Sequence, residues 1–263
     1  MSEASPIAAA WATLRQRRRT ALIPYLTAGY PDRATSLAAL RAADQTADLL
    51  EVGVPFSDPL ADGPVIQRSS FEALRGGMTL RGTLDLIRDA HFTKPVVLFS
   101  YLNPVLRYGI DRLLADAAAA GVAGVLLTDL PAGADAAIEG ALAASPLDLI
   151  RLLAPTSTPE RIREIVASAR GFVYLIGRLG VTGTGAGPAA GLAASVERVR
   201  VATALPIAVG FGISTAAQAR TVGRTVDGVV VGSALVEALG RGGVPAVERL
   251  LAELRAALDE ENA

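Results

Sequence analysis

The chain has 263 residues, of which 51% are hydrophobic and 19% charged, and its net charge is -1. That composition supports a large buried core and excludes global disorder, and the near-neutral charge leaves no electrostatic footprint for nucleic acid. It contains no cysteine, so disulfides, a thiolate nucleophile and a zinc–thiolate site are all excluded.

Ser5-Pro6 opens an amphipathic helix that runs to about Arg18, with Pro6 in its first turn and the RQRRR run, Arg15 to Arg19, as its solvated end. The order of charge and apolar residues at this end is not that of a signal peptide. No apolar stretch approaches the roughly 20 residues that span a bilayer. A cytoplasmic chain without a membrane partner is expected.

Eight apolar runs of strand length follow: Ala21–Thr27, Asp48–Gly53, Pro95–Tyr101, Gly124–Thr128, Asp148–Leu153, Phe172–Gly177, Pro206–Gly210 and Asp227–Val231. They are short and nearly continuous, as parallel strands buried on both faces are. Helical patterns lie between them at Arg33–Ala47, Leu80–His91, Ile110–Ala120, Ala134–Ala144, Pro159–Ala169, Ala189–Ala202 and Thr215–Gly223, with a last one at Pro245–Leu258. Ser233–Leu239 reads as a short additional helix after the eighth strand. Eight β–α alternations in one domain over residues 1–263 match a (β/α)8 TIM barrel with an extra N-terminal helix. A doubly wound open sheet is the rival, since alternation alone does not exclude it.

In such a barrel the chemistry sits at the C-terminal ends of the strands. Glu51, Tyr101, Asn103, Asp129, Tyr174 and Arg178 fall there, whereas His91 and Lys94 precede the third strand at the opposite end. Glu51 lies inside an apolar strand, where a carboxylate is costly unless paired or used. Asp62 follows in a loop with two prolines. The two acids can converge on one pocket and take separate acid and base roles. The plainer alternatives are an ion pair between Glu51 and an arginine such as Arg178, and a turn role for Asp62.

Three glycine-rich stretches follow the last three strands: GRLGVTGTGAG (Gly177–Gly187), VGFGIS (Val209–Ser214) and VVGSAL (Val230–Leu235). At these strands, with a short helix next, they suit a phosphate group. The segment 179–191 has the length and composition of a closing lid, or of a connection without a role. Lys94 is the only lysine and His91 the only histidine, both placed at the wrong end. A Schiff base, a His-built metal site and a Ser–His–Asp triad are therefore disfavoured, leaving acid–base chemistry by carboxylates with no cofactor or metal in this chain.

The segments EVGVPFSDPLADGP, SYLNPVLRYG, TDLP, GFVYLIGRLGVTG, VGFGIS and VVGSAL occur in that order. Together they resemble the tryptophan synthase alpha subunit from about Ile23 to Leu239, and PFSDPLADGP is the most specific of them. The resemblance implies a barrel that cleaves indole-3-glycerol phosphate to indole and glyceraldehyde 3-phosphate in a retro-aldol reaction. It gives Glu51 and Asp62 the catalytic roles: Glu51 moves protons at the ring carbon and the glycerol hydroxyl, and Asp62 takes the indole N–H proton. Tyr25, Ile66, Phe99, Tyr101, Asp129 and Tyr174 would line the substrate site or its entry. Gly183, Gly212, Gly232 and Ser233 would hold the phosphate, and Thr182 in the lid would meet Asp62.

The resemblance also implies a beta subunit carrying pyridoxal phosphate, in an α2β2 tetramer, with Pro55, Asp58 and Asn103 near the shared surface. Tyr25 stands where phenylalanine is common in that family. The PFSDPLADGP loop argues against a sugar-phosphate isomerase on the same scaffold, and the two intact acids argue against a non-catalytic indole-binding subunit. A stand-alone indole-releasing lyase with the same acids stays open.

Overall fold

A computed structural model describes residues 4–177, 188–210 and 212–260, with the side chains of 188–190 left undescribed. Helix α1 (Pro6–Gln16) begins where the sequence places it, with the Ser5 hydroxyl accepting from Ala8 N at 3.1 Å. Eight strands then close on themselves in chain order: β1 (Ala21–Thr27), β2 (Leu50–Gly53), β3 (Val96–Ser100), β4 (Val122–Leu127), β5 (Asp148–Leu153), β6 (Val173–Ile176), β7 (Ile207–Gly210) and β8 (Gly228–Val231). Every pair is parallel, and β8 returns to β1 with Ala21 opposite Gly228. The closed (β/α)8 barrel removes the open-sheet rival.

Helices α2 (Arg33–Thr46), α3 (Pro64–Arg75), α4 (Leu80–Ala90), α5 (Leu102–Tyr108), α6 (Ile110–Ala119), α7 (Ala136–Ala144), α8 (Pro159–Ala167), α9 (Pro188–Arg200), α10 (Ala216–Gly223) and α11 (Ser233–Asp259) surround it. Two of these are absent from the sequence-based assignment. α3 starts at Pro64 directly behind Gly63, and buries Ile66, Ser69, Ser70 and Ala73. Its buried stripe is partly serine, which hides the hydrophobic period. α5 has only seven residues with Val105 buried, too short for that period to show. Strand β4 begins at Val122 and ends at Leu127, so Thr128 lies past it. Residues 188–191, assigned to the lid, form the first turn of α9. The short helix after β8 does start at Ser233, and Gly243, in the left-handed region at φ +63°, breaks it from the segment that follows.

Side chains fill the barrel's interior. Ile23, Val97, Leu126, Ile150, Ala208 and Val230 meet α1 there through Ile7, Trp11 and Leu14. The i, i+4, i+7 spacing of those three puts them on one helix face. Glycine makes the room: a Cβ at Gly228 would sit 2.7 Å from Trp11 Cη2, and one at Gly124 the same distance from Ile7 Cδ1. α1 thus closes the N-terminal end, and the other end stays open to solvent. Among the described residues no helix is long and apolar enough to cross a membrane.

Candidate active site

The open end holds a cavity of ≈ 510 Å³. Parallel register brings its walls together: Tyr25 of β1 pairs with Glu51 of β2, and Gly53 with Phe99 of β3. Tyr25 and Phe99 meet edge to face, with ring centroids 5.2 Å apart. Tyr174 enters from β6 on the far side, and Asp62 and Ile66 come from the loop and first turn after β2. Gly212, Gly232 and Ser233 line the same space.

Two tyrosines reach their places because glycine lies beneath their hydroxyls. A Cβ at Gly53 would fall 2.1 Å from the Tyr25 Oη, and one at Gly210 only 1.9 Å from the Tyr174 Oη. Below the pocket a buried hydroxyl chain continues from Tyr25 to Thr27 at 3.4 Å and from Thr27 to Ser69 at 2.7 Å, and Ser69 donates to the Ile66 carbonyl at 2.9 Å. This chain ties β1 to α3, and its members carry no charge or motif that would single them out in the sequence.

Glu51 is 1% exposed. Its Oε1 has no hydrogen-bond partner, and among the described residues no cation pairs with it. The arginine-pairing alternative therefore finds no support, and Arg178 itself lies outside the described residues. Burial pushes the Glu51 carboxyl from 4.5 up to about 8, because nothing offsets the lost hydration. Asp62 does sit in a turn, with its N–H donating to the Pro59 carbonyl at 3.0 Å. Its side chain does more than cap that turn, since it accepts from the Tyr101 hydroxyl at 3.0 Å. Burial raises it from 3.8 to about 6, with the Tyr101 bond pulling the other way. Burial also drives the Tyr25 and Tyr174 hydroxyls upward, and the charges of Asp62 and Glu51 add to the rise.

Other expected site residues fall elsewhere. Asp129 is exposed and does not line the cavity; its Oδ1 accepts from Leu102 N at 2.6 Å, at the start of α5. Tyr101 stands behind Asp62, outside the cavity wall. Pro55 is buried and offers no surface, whereas Asp58 and Asn103 are exposed. Thr182 and Gly183 lie outside the described residues. Ile176, at the end of β6, and Ile213, within the VGFGIS stretch, complete an apolar wall; neither stands out in the sequence as a site residue, because each is an apolar residue without a charge or hydroxyl to mark it.

The phosphate expectation has a definite local geometry. Gly212 has φ +82°, a left-handed backbone that favours glycine. No side chain caps the helix at Ser233, so its first amides have no partner inside the helix and suit an anion. Glu51, Asp62, the aromatic rings and the glycine-flanked helix start at Ser233 thus line one cavity.

Comparison with known proteins shows the family. Residues 11–261 match the family described as Tryptophan synthase alpha chain. The chain is 50% identical over 242 residues to the tryptophan synthase alpha chain of Acidiphilium cryptum, covering 90% of this chain and 88% of that one. It is 47% identical to that of Synechococcus elongatus, over 95% and 96% of the two. A solved chain of Mycobacterium tuberculosis tryptophan synthase superposes with a TM-score of 0.89 at 42% identity, covering 97% of this chain and 99% of that one. The alpha subunit from Legionella pneumophila does so at 0.89 and 32%, over 98% and 100%. With identity of this degree along nearly the whole length, and the barrel closed in the same way, the chain belongs to the tryptophan synthase alpha chain family.

Proposed function

We propose that this cavity carries out the family's alpha reaction with its own two carboxylates. The reaction belongs to L-tryptophan biosynthesis: a carbon–carbon lyase cleaves indole-3-glycerol phosphate to indole and glyceraldehyde 3-phosphate. The single observation that carries the mechanism is the pair of acids in one cavity, Glu51 raised to about 8 and Asp62 to about 6. Between those values Glu51 holds a proton and Asp62 does not, which assigns the acid and the base.

Glu51 gives its proton to the indole ring carbon that bears the glycerol chain, while Asp62 accepts the ring N–H proton. Glu51, now a carboxylate, removes the proton of the adjacent glycerol hydroxyl. The carbon–carbon bond breaks, its electron pair returns to the ring, and Asp62 returns its proton to the ring nitrogen. Both acids end as they began. Tyr25, Phe99, Tyr174 and Ile66 hold the indole, and Gly212, Gly232 and Ser233 hold the phosphate; Gly183, expected at the phosphate, and Thr182, expected to meet Asp62, lie outside the described residues. The dependence of kcat/KM on pH should be bell-shaped, with its acid limb near 6 and its alkaline limb near 8.

The partner is a pyridoxal phosphate-bearing beta subunit in an α2β2 assembly in the cytoplasm, which receives the indole; this chain itself takes no cofactor. Support comes from the mouth of the barrel, where Leu60 is 92% exposed and Leu106 51% exposed, on the loop of Asp58 and the helix of Asn103. Exposed apolar side chains grouped beside polar ones suit a protein contact. The test is indole release from indole-3-glycerol phosphate by the purified chain, repeated with beta subunit. Slow release that rises sharply with the partner is expected. Fast release that a cognate beta subunit leaves unchanged would make the chain a stand-alone lyase, and no indole in either case would overturn the reaction.

A further inference from the structure

Asp62 stands on a loop, and a catalytic carboxylate has to be held within about 0.5 Å of its working position. Among the described residues its side chain has one hydrogen-bond partner, the hydroxyl of Tyr101 at 3.0 Å. That hydroxyl is itself fixed in polarity. It accepts from the Ala61 N–H at 3.0 Å and also bonds the Thr128 side chain, and because an ionised Asp62 can only accept, its single proton is directed at Asp62 Oδ2. The Tyr101 ring is 4% exposed and packs on Phe56 with centroids 5.0 Å apart.

Its backbone is anchored too. Tyr101 directly precedes α5, whose first amide, Leu102 N, is taken by Asp129 Oδ1 at 2.6 Å, and Ser100 Oγ donates to the Tyr101 carbonyl at 3.0 Å. Tyr101 therefore clasps the loop at Phe56, Ala61 and Asp62 while its own position is set by β3 and β4. It does not line the cavity, and its hydrogen bond toward the cavity goes to Asp62.

We infer that Tyr101 is a positioning residue that aims the Asp62 carboxylate, with Asp129 as the support that seats Tyr101 at the head of α5. The inference rests on the base role of Asp62. A hydroxyl that donates to a carboxylate favours its charged form, so the same bond keeps Asp62 ionised over more of the working range. Other titratable groups around Asp62 are Glu51, Tyr25 and Tyr174, none of which changes in the test.

The test compares the full chain with Tyr101→Phe, Asp62→Asn and the double variant, measuring indole release against pH. Tyr101→Phe keeps the ring on Phe56 and removes only the hydroxyl. It should lower kcat/KM by about ten-fold, mostly in kcat, and move the acid limb to higher pH. The double variant should be no worse than Asp62→Asn alone, because the hydroxyl acts through that carboxylate. Losses that multiply in full, an acid limb that stays in place, or a lost activity matched by a lost melting transition would each overturn the positioning role. An active Tyr101→Phe beside an inactive Asp62→Asn would overturn it while leaving the base assignment standing. A fully active Asp62→Asn would overturn both.

Discussion

Asp48, just before β2, and Glu51, inside it, stand three residues apart, and their surroundings differ completely. Asp48 Oδ2 accepts from Leu22 N and Arg255 Nη1, both at 2.9 Å, and Arg19 lies 3.8 Å from its other oxygen. Its neighbour at that end, the buried Asp44, accepts from Lys94 N at 3.0 Å and from the Thr93 hydroxyl at 2.9 Å. Glu51, at the mouth, is more deeply buried and has nothing comparable. A groove of ≈ 710 Å³ flanks α1 at the closed end and is larger than the cavity at the mouth, yet its acid, Asp48, is fully engaged. Volume does not distinguish the two ends. The uncompensated acid does: Glu51, buried without a partner for its Oε1, lies at the mouth and among the described residues has no counterpart at the closed end.

That contrast can be broken at either end. The largest effect should come from Glu51→Gln, which keeps the volume and loses the proton. Turnover should fall by at least about 10³-fold with the fold intact, and near-normal rates would remove the assigned role. The same variant carries a stability signature. Folding raises Glu51 from 4.5 to about 8, so the unfolded chain ionises first and stability present below pH 4.5 is lost as pH rises toward 8. Glu51→Gln should flatten that loss, by ~3 kcal/mol at pH 7. Melting curves at pH 5 and pH 8 would show the two chains diverging, and parallel curves would contradict the burial account.

At the closed end Arg255→Ala should do the opposite. Arg255 bonds Asp48 and the Thr20 carbonyl, and removing it leaves a largely buried carboxylate with only the more distant Arg19 as a cation. Denaturant unfolding should show about 3–5 kcal/mol lost, while kcat/KM of the folded fraction stays at the parent value. Asp62→Asn comes next, with a loss of about 10²-fold in kcat/KM and little change in stability; full activity would return Asp62 to its turn. Smallest of all is Arg163→Ala, which breaks an exposed pair with Glu160 on α8 and should change stability by less than about 0.5 kcal/mol and the rate not at all.

Much of the fold and of the site is legible in the chain of residues alone. The alternation of apolar runs with helical segments specifies the parallel strands and their number, because both faces of a parallel strand are buried and the run of residues says so directly; closure into a barrel is seen only in the structure. Glu51 is legible for the same reason: an acid breaks that run. Helices α3 and α5 are not, since one buries serines and the other is too short to repeat. Nor is the fate of Asp129, a strand-end acid in sequence that accepts from the first amide of α5 in space. Pro55 likewise reads as a loop residue but is buried.

By itself, then, the sequence determined the eight strand–helix alternations and marked Glu51 and Asp62 as the candidate acids, because burial pattern and motif spacing are local properties of the chain. Only the tertiary structure decided which acids are compensated and which are not. Asp48 finds its arginine 207 residues away, and Asp62 its tyrosine 39 residues away. The state of a carboxyl group depends on what closure of the barrel brings within about 4–6 Å of it.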